Sequence, residues 1–282
     1  MFHMELFSSS IATGAATFGQ VTYVATDAIL QKLVNGMQVS QQLPYLKAVM
    51  GVGAHLIHVR AQAPSMLPLP YVALSPNNRG GAFESPPRCW DFSDAPIPLR
   101  LTEEFDNFAT QDSGGGETQY VACLFTDNQT IPAPKPTTVM STNGNGRFFT
   151  IHATGTNSLT GGAWNQLPAS AFVFDQPFPA GSYVLVGVRC LSPTGLFFRM
   201  FPQVAPLWRP GGICVQAYDQ MDIFNQRYLP NYGPPGYGWG QWLSFYSNTP
   251  PGIEIFPTGA DATQEIWFDC IKVSDATIQG VM

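Results

Sequence analysis

Charge is scarce in this sequence. Asp, Glu, Lys and Arg make up 11% of its 282 residues, against about 25% in an ordinary globular chain. A free monomer has little to cover its surface with at that density, so burial of surface against neighbouring subunits is expected. The 13 basic residues are scattered singly between Lys32 and Lys272, with no basic arm, and the net charge is −6. Phosphate neutralisation needs clustered Lys and Arg, so direct nucleic-acid binding is not expected.

Long apolar runs are also missing. Nothing approaches the roughly 18 residues of a membrane-spanning helix. The opening MFHMELFSSSIATGAATFG has neither the basic start nor the continuous apolar core of a secretory leader, and synthesis in a cytoplasm is expected. The five cysteines (Cys89, Cys123, Cys190, Cys214, Cys270) are odd in number, far apart and set in apolar runs, without CxxC or zinc spacing. They read as small buried hydrophobes.

Catalytic patterns are few. A cupin-type metal site needs His-x-His, because an offset of two puts both rings on one strand face. Here His55 and His58 are three apart, and His3 and His152 have no His partner near them in sequence. Glu103, Glu104 and Asp106 form the densest acidic cluster. Acid/base work, or a cation held with Asp112, is weighed there against a solvated strand end. GxSxG, P-loop and GxGxxG-helix patterns are absent, and Gly114–Gly116 precedes a strand rather than a helix. No cofactor or metal is expected.

What is present is punctuation. Twenty-five prolines and 27 glycines separate short β-rich runs such as YVACLFT, RFFTIHAT and SYVLVGVRCL. Asn143–Gly146 (NGNG) predicts a hairpin turn. TDAILQKLVNGM predicts a helix, with Asp27 as N-cap, Ile29, Leu30, Leu33 and Val34 as its apolar face, and Gly36 as its end. The class expected is all-β with a few short helices.

The runs also repeat. ETQYVACLFTDN (117–128) returns as TQEIWFDCIKVSDA (263–276), each with Thr-Gln, an apolar run around a cysteine, and a polar stop. Residues 43–64 resemble 179–202, and Arg79-Gly-Gly resembles Arg209-Pro-Gly-Gly, in the same order. Between the halves lies TIPAPKPTT, whose alternate prolines favour an extended connection. The domains expected are 1–131, a linker at 132–136, and 137–282. Eight short strands per half suit a jelly-roll β-sandwich, so two tandem eight-stranded jelly rolls are expected.

Those paired elements and the proline linker span nearly the whole chain. In them it resembles the double jelly-roll major capsid proteins of tailless icosahedral, internal-membrane bacterial viruses of the PM2 and FLiP type. The resemblance implies a structural virion protein without catalysis, made in the host cytoplasm. It implies a homotrimer with pseudo-sixfold outline that meets neighbouring trimers and penton or minor capsid proteins. An internal lipid membrane beneath the shell would face the N-terminal segment, with Phe2 and Phe7 as base or membrane-proximal contacts.

YLPNYGPPGYGWGQW (228–242) crowds five aromatics among glycine and proline. Tyr228, Tyr232, Tyr237, Trp239 and Trp242 fit a subunit interface, a receptor or glycan contact, or packing within the domain. The alternative function they raise is a two-domain β-sandwich binding module, a lectin or receptor-binding spike.

Overall fold

The computed structural model describes residues 2–11, 17–25, 30–53, 55–67, 71–74, 89–91, 96–111, 118–126, 148–201, 203, 212–214 and 244–273. The chain divides into two compact units, Phe2–Gln129 and Thr130–Met282, the latter with Met1.

In the first unit the strands are β1 (Phe2–Ser10), β2 (Gly19–Val21), β3 (Met37–Gln38), β4 (Tyr45–Val52) and β5 (Leu56–Gln62). They continue with β6 (Tyr71–Leu74), β7 (Cys89–Asp91), β8 (Ile97–Pro98), β9 (Glu104–Gln111) and β10 (Thr118–Thr126). One sheet runs β1-β10-β4-β7, with β8 also on β4. The other runs β2-β9-β5-β6, with β3 also on β9. Setting aside the two-residue β3 and β8, and ranking the remaining eight strands by chain order, the sheets read 1-8-3-6 and 2-7-4-5. Interleaving of first and last strands in this way is the double Greek key of a jelly roll.

The second unit contains β11 (Phe148–Gly155), β12 (Asn165–Leu167), β13 (Val173–Phe174), β14 (Ser182–Leu191) and β15 (Gly195–Phe201). It continues with β16 (Gly212–Cys214), β17 (Ser244–Tyr246), β18 (Gly252–Pro257) and β19 (Gln264–Val273). Its sheets run β13-β11-β19-β14-β17 and β12-β18-β15-β16. With the two-residue β13 set aside, the order is again 1-8-3-6 and 2-7-4-5. The fold is all-β: one jelly roll built twice.

Alternation places the first core. On β1 and β10, Phe7 and Phe125 point toward Phe105 of β9, with ring centroids 6.0 and 5.2 Å away. All three are fully buried. Each such side chain contributes roughly 1.5–3 kcal/mol through burial, and edge-on ring contacts add about 0.5–1.5. In the second unit Phe178 meets Tyr183, Phe245 and Phe268 at 5.5, 5.2 and 6.2 Å.

The sequence repeats fall on equivalent strands. The Cys123 and Cys270 segments are β10 and β19, each the eighth of its jelly roll. Cys123 lies between Glu5 and Val49, and Cys270 between Phe149 and Leu185. The 43–64 and 179–202 segments are the β4–β5 and β14–β15 hairpins. Both β4 and β14 carry a register shift against the last strand, past Lys47 and Val186 respectively, the extra residue of a β-bulge.

Two expectations are corrected. Residues 30–37 form a turn, not a helix. Lys32 bridges Met37, Leu33 N–H donates to the Gly36 carbonyl, and Val34 stands 85% exposed at the tip. Pairing of β3 with β9 outcompetes the helical period, and a Cβ on Gly36 would meet the Phe105 carbonyl oxygen at 2.6 Å. The opening residues are likewise a core strand rather than a peripheral segment. Phe7 is fully buried against Tyr23 and Phe105, so its side chain is closed to lipid or a neighbour. Of Phe2 the structure gives its pairing opposite Thr126.

Candidate functional site

Tyr228, Tyr232, Tyr237, Trp239 and Trp242 lie outside the described residues, as do Pro132–Pro136, the Asn143–Gly146 turn, Gly114–Gly116, Gly80–Gly81 and Asp112. The chemistry that can be placed consists of four polar clusters, each produced by strand pairing.

The acidic cluster is divided by the strand pleat. Glu103, just before β9, accepts from Ser65 N–H at 2.8 Å, from the Ser65 hydroxyl, and from Arg100 N–H at 2.6 Å. It is an anchor for two loops, not a free ligand. Asp106 lies on the outward face of β9 and accepts from Gln20 Nε2 at 3.0 Å. Its carboxyl is pushed above the usual carboxylate range, first by burial and then by nearby Glu104, while the Gln20 bond opposes the shift. No group of three or more His, Cys, Asp or Glu among the described residues could hold a metal.

Beside Asp106 on that face, Arg60 of β5 is paired in register with Phe108 of β9. Its guanidinium carbon lies 4.4 Å from the Phe108 ring centroid and 4.5 Å from that of Phe18. His58, two residues along, packs on Phe18 at 6.3 Å and bonds Thr110 Oγ1 through Nδ1 at 3.1 Å.

Two ionisable pairs are fully buried. In the first jelly roll His3 Nε2 lies 2.6 Å from Glu5 Oε1. Both share the inward face of β1 with Phe7, near the Asn107–Cys123 contact at 3.4 Å. Burial pushes the Cys123 thiol up to about 12, with Glu5 adding to the rise and the Asn107 bond opposing it. In the second, Arg199 Nε donates to Glu254 Oε2 at 2.5 Å, with the guanidinium 4.1 Å over the Trp164 ring. Arg199 and Glu254 need each other, because removing one partner strands a buried charge.

The last cluster lies at the surface of the second jelly roll. His152 Nδ1 is 2.7 Å from Asp175 Oδ2, and its Nε2 is 3.3 Å from Glu265 Oε2. The ring stacks on Trp267 at 4.8 Å. His152 and Trp267 are register partners on β11 and β19, and β13 brings Asp175 alongside.

Sequence reasoning found the acidic cluster and missed the groupings around His58 and His152, whose partners stand 23 to 113 residues apart. The two-residue spacing of His3 and Glu5 is the local signal that could have found their pairing, since it puts both on one face of a strand.

No family model matches the sequence, and no curated protein does. Among solved structures the chain is similar to the STIV MCP, at 8% identity over 97% of each chain with a TM-score of 0.27. It is also similar to the major capsid protein P2 from bacteriophage PM2, at 11% identity over 96% of this chain and 97% of that one, with a TM-score of 0.23. The class rests on the chain's own strand order: a tandem jelly-roll protein.

Proposed function

We propose that this chain is a structural capsid subunit of a virion, and that it works by packing rather than by catalysis. The observation that carries the reading is the strand order 1-8-3-6 and 2-7-4-5 occurring twice in one chain. Three copies of a two-lobed chain present six similar lobes, which lets a homotrimer occupy a sixfold lattice position and tile an icosahedral shell. Low charge supports the same reading, since surface buried between subunits needs few charges. Pro132–Pro136 would join the two lobes. Neighbouring trimers and penton or minor capsid proteins would be the partners, with a lipid membrane beneath.

Light scattering with negative-stain imaging tests it. A species three times the 30.7 kDa chain mass with hexagonal outline, or closed shells, is expected. A stable monomer at all concentrations would sink the reading. A second reading, a two-domain binding module, is favoured by the aromatic content of residues 228–242. Replacing Trp239 and Trp242 with Ala separates the two. Loss of assembly supports the capsid subunit, and loss of glycan binding with assembly intact supports the module.

A further inference from the structure

Among the described residues, Arg60 has no counter-charge. The guanidinium sits against Phe18 and Phe108 on the outward face of the first jelly roll, at 4.5 and 4.4 Å. No hydrogen bond or ion pair joins it to a described residue. Its Nε is a buried donor without a partner, while the side chain as a whole is only half-buried. Arg60 keeps an intermediate exposure, so part of the side chain reaches solvent. Asp106, on the same face, accepts from Gln20 at 3.0 Å.

A guanidinium is always charged and presents its donors as a rigid planar fork that matches carboxylate and phosphate oxygens two at a time. Here two rings already fix its position, so the rotamer freedom an arginine ordinarily loses on gripping a ligand is spent in advance. The rings also keep water from one side of the group, which strengthens a charge-assisted bond made at its open edge.

We propose that Arg60, held by Phe18 and Phe108, is a receptor for one oxyanion, a carboxylate or a phosphate group. Two sources offer that chemistry. One is a side-chain carboxylate of a second copy, since each chain carries 19 acidic residues at a net charge of −6. The other is a free anion.

The test is a titration of the full chain with acetate and with inorganic phosphate at constant ionic strength, read at the Arg60 Nε–H and the Phe108 amide by NMR. A saturable shift is expected, abolished in R60Q. In F108L, which keeps the charge and loosens the grip, affinity should fall by about threefold to tenfold, the scale of one cation–π contact. Sedimentation of R60Q beside the wild type assigns the source. Weaker self-association identifies a carboxylate of a second copy; unchanged association with a saturable titration identifies a free anion. Linear, unsaturated shifts with both anions, together with unchanged association of R60Q, overturn the proposal. Equal affinity in F108L and wild type overturns the role of the rings. A wild-type chain that never assembles but still saturates sinks the capsid reading and leaves this site standing.

Discussion

Gln264 and Asn157 hold each other from both ends. Gln264 Nε2 donates to the Asn157 carbonyl at 2.9 Å, and Gln264 Oε1 accepts the Asn157 backbone N–H at 3.1 Å. Gln264 is the glutamine of the repeated Thr-Gln pair, opens β19, and is almost fully buried. Its counterpart Gln119 is the second residue of β10. There Nε2 donates to Gln111 Oε1 at 2.6 Å, and Gln111 Nε2 donates to the Ile11 carbonyl at 2.9 Å. Ile11 follows β1 as Asn157 follows β11. Each jelly roll therefore ties the start of its last strand to the chain leaving its first, directly in one and through a second glutamine in the other.

Replacing Gln264 with Ala strands both backbone groups of Asn157, and a buried polar group left unsatisfied costs about 1–3 kcal/mol. Q264A should therefore destabilise the second unit by about 2–3 kcal/mol in urea unfolding, and by more than Q119A destabilises the first, where a single bond is cut. Equal, negligible losses would show that water replaces the glutamine.

Glu103 makes a comparable prediction for the loops. Its carboxylate gathers Ser65 and Arg100 N–H groups from two separate turns. Hydrogen bonds to a charged group contribute about 1.5–3 kcal/mol, fewer where the group is part-exposed as here. E103A should lower stability by about 1–2 kcal/mol and open the segment around Pro64–Met66 to limited proteolysis, while E103Q, which keeps an acceptor oxygen, loses less. If E103A leaves the cleavage pattern unchanged, the anchor role fails.

These contacts mark where sequence reading stops. The Pro/Gly punctuation around short β-rich runs such as RFFTIHAT and the Thr-Gln…Cys repeat expose the class and the duplication, because both are local or collinear signals. Register is not local. Arg60 meets Phe108 and His152 meets Trp267 across sequence separations of 48 and 115. The turn at 30–37 misled for the same reason. Its helical spacing is real, but pairing of Met37 with Phe105 decides the outcome. Phe7 looked terminal by position and is central by pairing, since β1 is the partner the last strand requires.

Asp106 carries a pH prediction. Burial and Glu104 raise its folded pKa above the unfolded value, so the folded state prefers the protonated form. The cost of ionising it is absent below the unfolded pKa, grows as pH rises through the folded one, and is constant above that. D106N removes the cost and keeps an oxygen for Gln20. The variant should be more stable than wild type near pH 7, with the difference vanishing toward about pH 3, below the carboxylate range. Urea melts at several pH values check it. A variant less stable than wild type at neutral pH would mean that the Gln20 bond outweighs desolvation.

Three of the cysteines behave as parts of the core, and their chemistry should report its opening. Cys123, Cys190 and Cys270 are buried free thiols. Burial pushes Cys123 up to about 12 and raises the other two as well, Asp261 adding to the rise at Cys190 and Asp269 at Cys270. The thiolate is the reacting species, so at pH 8 the native protein presents almost none of it, and a shielding sheet besides. Iodoacetamide followed by peptide mapping should leave all three unmodified in the native chain and modify all three in urea. At intermediate urea the labelling of Cys123 should follow unfolding of the first unit, and that of Cys190 and Cys270 unfolding of the second. Because the units are separately compact, two distinct midpoints are expected. One shared midpoint for all three would instead mean that the jelly rolls unfold as a single cooperative body.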